Sequence, residues 1–417
     1  MRQAVSRSLK TPLAWSLLLA LTAGSAFTSA QTTAGHNFFM PGRRSPAGGT
    51  AQTGAQVPNV AGPTWNPDFA VTNDEDSYAI RNWHTGVYDP GSNRLIVFGG
   101  EDANSVIHND LLVLTQANGN GGPYAGQWSD LIVGFPAPPP RYSHTAVYDQ
   151  TNNRMIVFGG CADVACFIPL NDTWVLSDAN GVGGAPAWTL LSPSGSLPAA
   201  RSNHEAIYDA ANNRMIVFGG YGTTQPLSDV WALTNANGLG GTPTWIQLSP
   251  AAGPPDSLDG SSVVYDAANN IATVFGGWCV NSAWTLSNAN GLGGTPAWTN
   301  LVPNGAAGSP GCRSSHSAVY DSASNRMVIY GGNSGLGLDN PDFDFVAYGD
   351  VWVLSNANGL GGSPAWTQLH PKGFQPVARI GHIASYDPVG NHMTVFGGFS
   401  IEGTFGSTWI LYDANGL

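Results

Sequence analysis

The sequence predicts an all-β protein, a ring of six four-stranded sheets, and three observations lead there. Only 10% of the 417 residues are charged, while glycines number 54, prolines 29 and tryptophans 14. That composition suits many short strands joined by tight turns rather than helices. The segment "NNRMIVFGG" stands at 152–160 and again at 212–220. Variants recur at "SNRLIVFGG" (92–100), "NNIATVFGG" (269–277), "SNRMVIYGG" (324–332) and "GNHMTVFGG" (390–398). The apolar residues also come in short alternating runs, as half-buried strands do.

Each copy continues in one order. "RYSHTAVYD" (141–149) reads as strand A, and a turn with Asn leads into strand B, "RMIVF". Two glycines end B, where the backbone needs unusual angles or close approach. After a variable stretch, "NDTWVLSD" (171–178) is strand C; "ANGVGG" then leads into "PAWTLLSP" (186–193), strand D. Trp174 and Trp188, in adjacent strands C and D, are placed to pack between neighbouring sheets. A repeat of about 40–60 residues with four strands marks a β-propeller.

The double glycine, the Trp- or Tyr-bearing strand C, the Trp of strand D and the following R-x-x-H-x-A together resemble the kelch repeat family. The resemblance runs over 62–417 in six copies, and implies a six-bladed propeller with strand A innermost. The last repeat stops after strand C, at "STWILYDANGL" (407–417), while "AGPTWNPDF" (61–69) matches a strand D. An N-terminal strand is therefore expected to complete the last blade and close the ring. Such a ring is expected to be a monomer.

Residues 1–30 read as a signal peptide, with Arg2, Arg7 and Lys10 before the apolar "LAWSLLLALTAG" (13–24). Residues 31–61 read as a flexible linker. The expected location is secreted or periplasmic, with no membrane insertion once the signal is removed. Net charge is −12 and Lys10 and Lys372 are the only lysines, so a nucleic-acid partner is not expected. In an oxidising compartment Cys161, Cys166, Cys279 and Cys312 suggest two disulfides: one within the loop that holds Cys161 and Cys166, and one between adjacent blades through Cys279 and Cys312.

Strands that alternate in direction put the D–A and B–C loops on one face and the A–B and C–D loops on the other. The second face carries near-identical "ANGLGG" loops, read as plain Gly-rich hairpins rather than calcium sites. The first varies, which is where a scaffold carries a site. Arg81, Arg141, Arg201, Arg313 and Arg379 each stand three before a histidine. A residue demanded in every blade is read as structural. The candidate ligand contacts are the non-repeated Trp83, Glu101, Tyr142, Tyr221, Trp278 and Phe399, suited to stacking on sugar rings or a peptide. The long loop 333–349 adds Asp339, Asp342 and Asp344, read as solvated.

The expected function is non-enzymatic: an exported scaffold that binds a glycan or protein partner through the varied face, with no cofactor. The alternative rests on resemblance to the periplasmic sialic-acid mutarotase family, which implies a carboxyl acid/base beside an arginine; Glu101, Glu205, Glu402, Arg141 and Arg201 are the catalytic candidates. Copper-radical oxidases of the galactose-oxidase type share the kelch fold. They need a Tyr–Cys cross-link and paired His ligands, which His108 alone does not supply.

Overall fold

In a computed structural model the described residues are 62–66, 79–120, 126–253, 255, 258–278, 280–334 and 346–417. The signal, the linker, Cys279 and the Asp339–Asp344 stretch lie outside them. The described residues fall within the compact unit Gly54–Leu417.

Six antiparallel four-stranded sheets form, one per repeat. Their A strands are Thr85–Asp89, Thr145–Asp149, Glu205–Asp209, Ser261–Asp266, Ser317–Asp321 and Ile383–Asp387. Each A strand neighbours the next, and the first neighbours the last, so they wall a central channel. In blades 1–5 the strands pair in chain order, A to D. In blade 6 strand D is Thr64–Asn66, paired with Thr408–Tyr412 in the register Thr64↔Tyr412, Trp65↔Leu411, Asn66↔Ile410.

The core lies between blades. The strand-D Trp of each blade meets the aromatic ring that ends strand B of the blade before it. Trp188 lies 5.0 Å from Phe98, Trp245 5.0 Å from Phe158, Trp298 6.3 Å from Phe218 and Trp366 4.6 Å from Phe275. Trp65 on Tyr330 at 5.3 Å and Trp128 on Phe396 at 4.3 Å complete the circle. Such ring pairs add about 0.5–1.5 kcal/mol each beyond their buried area.

The uniform C–D loops do more than turn the chain. Asn118, Asn180, Asn237, Asn290, Asn358 and Asn415 each donate a side-chain hydrogen bond to the strand-A aspartate of the preceding blade. The acceptors are Asp387, Asp89, Asp149, Asp209, Asp266 and Asp321, at 2.6–2.8 Å. The Asn of "ANG" is thus a clasp between blades.

Candidate functional site

The double glycines set the mouth of the channel on the D–A/B–C face. The N–H of the second glycine bonds to a carbonyl where the next blade's strand A begins: Gly100 to Arg141, Gly160 to Arg201, Gly220 to Leu258, Gly277 to Arg313, Gly332 to Arg379 and Gly398 to Arg81. A Cβ on Gly160, at φ +96°, would stand 2.7 Å from both His144 Cβ and the Tyr142 carbonyl oxygen. No larger residue fits there.

Just inside, Trp83, Ser143, Asn203, Gly260, Ser315 and Gly381 all take left-handed φ between 51° and 65°. Each donates its N–H to the equivalent carbonyl of the blade before: Ser143 to Trp83, Asn203 to Ser143, Gly260 to Asn203, Ser315 to Gly260, Gly381 to Ser315 and Trp83 to Gly381, at 2.8–3.2 Å. Six backbone amides thus form a closed circle around the mouth. The indole of Trp83 covers Gly381, where a Cβ would meet the ring at 2.9 Å.

Below this circle the repeated histidines are buried in the blade interfaces. His144 sits edge-on to Phe98, His204 to Phe158, His316 to Phe275, His382 to Tyr330 and His84 to Phe396. Four of them place Nε2 against a hydroxyl of the preceding blade: His144 on Thr85, His204 on Thr145, His316 on Ser262 and His382 on Ser317, at 2.7–2.9 Å. Burial lowers their pKa, that of His382 to about 3, so the imidazoles are neutral. At His84 the hydroxyl is replaced by Ile383, and both ring nitrogens lack a partner among the described residues.

Blade 4 breaks the pattern. It carries Ser261 where the others have His, and blade 3 carries Glu205 where its equivalents carry Thr, Ser or, in blade 6, Ile383. The Ser261 hydroxyl is buried without a partner among the described residues. Glu205 borders two cavities along the channel, of about 110 and 210 Å³. Desolvation pushes its carboxyl up to about 8. Near the mouth Asp259 is raised to about 6, again by burial, against a hydrogen bond from Asn203 that lowers it.

The arginines are structural. Arg141, Arg201 and Arg313 are fully buried and form forked pairs with Asp172, Asp229 and Asp350, each just before strand C of the same blade. Arg81 meets Asp110 at 2.5 Å. In blade 4 both partners change together, to Leu258 and Ser282. Arg379 faces Ser407 at 3.2 Å and lies over the Phe405 ring. Arg141 and Arg201 are therefore held by carboxylates, and neither lines the channel cavities beside Glu205.

The structure brings part of the candidate ligand set together on the rim. Glu101, Tyr221 and Phe399, each just after a glycine pair, bridge to Asn82, Ser202 and Ile380 of the incoming segment of their own blade. Cys161 bridges to Tyr142 in the same way. The Tyr142 hydroxyl donates to the Val164 carbonyl, and burial, then Glu101 and Asp163, push its pKa up to about 12. Tyr221 and Trp278 are exposed, Trp278 at 56%. Trp83 is apart from this rim, in the channel mouth. Glu402 lies exposed in the turn between Phe399–Ser400 and Gly403–Thr404, and does not line the Glu205 cavities. Cys161 and Cys166 form a disulfide with Cα atoms 5.0 Å apart. Cys312 Sγ lies 3.3 Å from the Ser334 carbonyl; the expected bridge to Cys279 falls outside the described residues.

Sequence reasoning missed Ser261 as the companion of Glu205 in the smaller channel cavity. The departure of blade 4 from its five siblings was the available signal.

A chain of six such blades is a kelch propeller. The family model "KLHDC2/KLHL20/DRC7 Kelch-repeats domain" matches residues 32–181 and 184–355, and the protein belongs to this kelch-repeat family. It is 30% identical to putative adagio-like protein 2 of Oryza sativa subsp. japonica over 282 residues, 65% of this chain and 40% of that protein. It is 27% identical to adagio protein 3 of Arabidopsis thaliana over 334 residues, 78% of this chain and 48% of that one. The chain thus spans less than half the length of these relatives. The solved structure titled "Structure of YjhT" aligns with a TM-score of 0.54 at 13% identity, over 80% of this chain and 94% of that one, a likeness of fold.

Proposed function

We propose that the protein is an exported, non-enzymatic scaffold that binds a protein partner through its D–A/B–C face. One observation carries this reading. Every exposed large aromatic residue among those described, Phe135, Phe167, Tyr221, Trp278 and Phe374, lies in a D–A or B–C segment. The exposed large hydrophobic residues of the opposite face are aliphatic, such as Val182, Leu239, Leu292 and Leu360 at one repeated loop position. Aromatic side chains anchor binding energy at protein interfaces, whereas repeated loop leucines serve the fold. The same rings could stack on sugars, so a glycan is the competing ligand class.

The test compares the full chain with a Tyr221→Ala/Trp278→Ala variant of equal melting temperature. Both are used as bait against the extracytoplasmic proteome and on a glycan array. A partner captured by the parent and lost by the variant supports the reading. Glycan binding without protein capture turns it toward carbohydrate, and capture unaffected by the variant overturns the face assignment. Export is part of the proposal, and a processed N-terminus in the extracytoplasmic fraction is its check.

A second reading has one observation in its favour: Glu205, with a pKa of about 8 in the channel, is poised to give or take a proton near neutrality. Sugar mutarotation by that carboxyl would raise anomer interconversion above background and vanish in Glu205→Gln. The buried, paired state of Arg141 and Arg201 supports the scaffold reading instead.

A further inference from the structure

At three blade junctions the D–A link seals the outer edge of the next blade. Ser194, Ala251 and Lys372 each form a parallel bridge with the strand D that follows, at Thr244, Ala297 and Thr64. The N–H groups of Trp245, Trp298 and Trp65 donate to the link carbonyls of Ser194, Ala251 and Lys372 at 3.0–3.1 Å. The links return bonds to the carbonyls of Pro243, Pro296 and Pro63. An edge strand that would otherwise be open is thereby closed.

The link from blade 1 to blade 2 behaves differently. Counting from Trp128, Gly134 stands where Ser194 stands after Trp188. Among the described residues Gly134 forms no such bridge, and strand D of blade 2, Ala187–Leu190, has no partner on its outer side. Between link and strand a groove of about 420 Å³ opens, lined by Leu131, Ile132, Val133, Phe135, Ala137 and Trp188. Ile132 and Phe135 are 83% and 98% exposed. Asp110 and Asp130 stand in the same lining. At the remaining described link, between blades 4 and 5, the chain from Trp298 to Arg313 is two residues longer, and Ala306 shares a cluster with Trp366.

We propose that this groove takes an extended peptide segment of a partner protein, added as a strand to Ala187–Leu190. The proposal rests on the scaffold reading and names its partner chemistry. Main-chain bonds to the Trp188 N–H and Pro186 carbonyl replace those the link makes elsewhere. Alternate apolar side chains of the peptide lie on the exposed Ile132 and Phe135. A Lys or Arg of the peptide meets Asp130, on a protein of net charge −12 whose arginines on this face are buried. The occupant is therefore an apolar and basic strand, not an acidic one.

A phage-displayed library of random twelve-residue peptides, panned on the full chain, tests this. The expected winners alternate apolar residues with Lys or Arg. Their affinity falls at least tenfold on Ile132→Asp/Phe135→Asp, whose exposed positions leave the fold intact. Asp130→Lys reverses the charge preference. A link swap that writes residues 192–197 of blade 2 over 132–137 should seal the edge and abolish binding. Winners that ignore the link swap but lose Tyr221→Ala/Trp278→Ala overturn the groove and leave the scaffold reading standing. A library with no winner at all overturns the groove, and capture of a partner by the full chain then decides the scaffold reading separately. Two results assign the groove to this chain and overturn the proposal: binding gained on deleting residues 31–61, or a dimer in sedimentation that Phe135→Asp dissolves.

Discussion

The side chain of Asn118, in the first blade, donates a 2.8 Å hydrogen bond to the carboxylate of Asp387, in the last. The two residues are 269 positions apart, and their bond is the same clasp that joins every other pair of neighbouring blades. Here it holds the seam of the ring. A hydrogen bond to a charged acceptor is worth about 1.5–3 kcal/mol. Asn118→Ala should lower stability by that amount, read as a shifted urea midpoint. A variant matching the parent would mean that the seam is held without it.

The N-terminal strand should matter as much as any internal one. Trp65 is 1% exposed and packs on Tyr330. Trp65→Ala should cost about 3–5 kcal/mol and unfold the ring in one transition. Two resolved calorimetric transitions would show that blade 6 frays alone.

Blade 4 supplies a natural double substitution, Leu258 with Ser282 in place of the Arg and Asp of blades 1, 2, 3 and 5. Asp229→Ser alone leaves Arg201 buried without its carboxylate and should cost about 3–5 kcal/mol. Adding Arg201→Leu should restore part of that loss, so the double variant lies closer to the parent than Asp229→Ser does. Additive losses in the double-mutant cycle would refute the coupling.

Glu205 gives a pH dependence with a defined sign. Its folded pKa, about 8, is raised above the ordinary 4.5 by burial. Between these values the unfolded chain has released a proton that the folded chain keeps, so stability falls as pH rises. The loss begins near pH 4.5 and is complete above about 8. Glu205→Gln should therefore match the parent near pH 4 and exceed it in melting temperature by a widening margin up to pH 8. A constant difference across that range would place the carboxyl in water.

Much of this was legible in the repeats. Six copies gave six blades, and Trp65 stood out as a strand-D tryptophan without its own repeat. The histidines and arginines read as structural because every blade but one carried them. Other features depend on contacts that no single repeat contains. The Asn of "ANG" meets an aspartate about 90 positions earlier, as Asn180 meets Asp89, so each loop viewed alone is a plain turn. The groove beside Trp188 arises because the "IVGFPA" link departs from its neighbour, and a missing pairing leaves no motif. The matched changes at Arg201/Asp229 and Leu258/Ser282 could have been found by aligning the blades on one another.

The circle of amides from Trp83 to Gly381 has an electrical consequence. All six dipoles lie head to tail around the rim, each polarising the next. Their vectors cancel, as current in a loop carries no charge anywhere. A helix end would offer an approaching ion a signed pole; this rim offers none. The polarity sensed on the channel axis therefore comes from side chains, and among the described residues that line the two channel cavities Glu205 is the sole carboxyl.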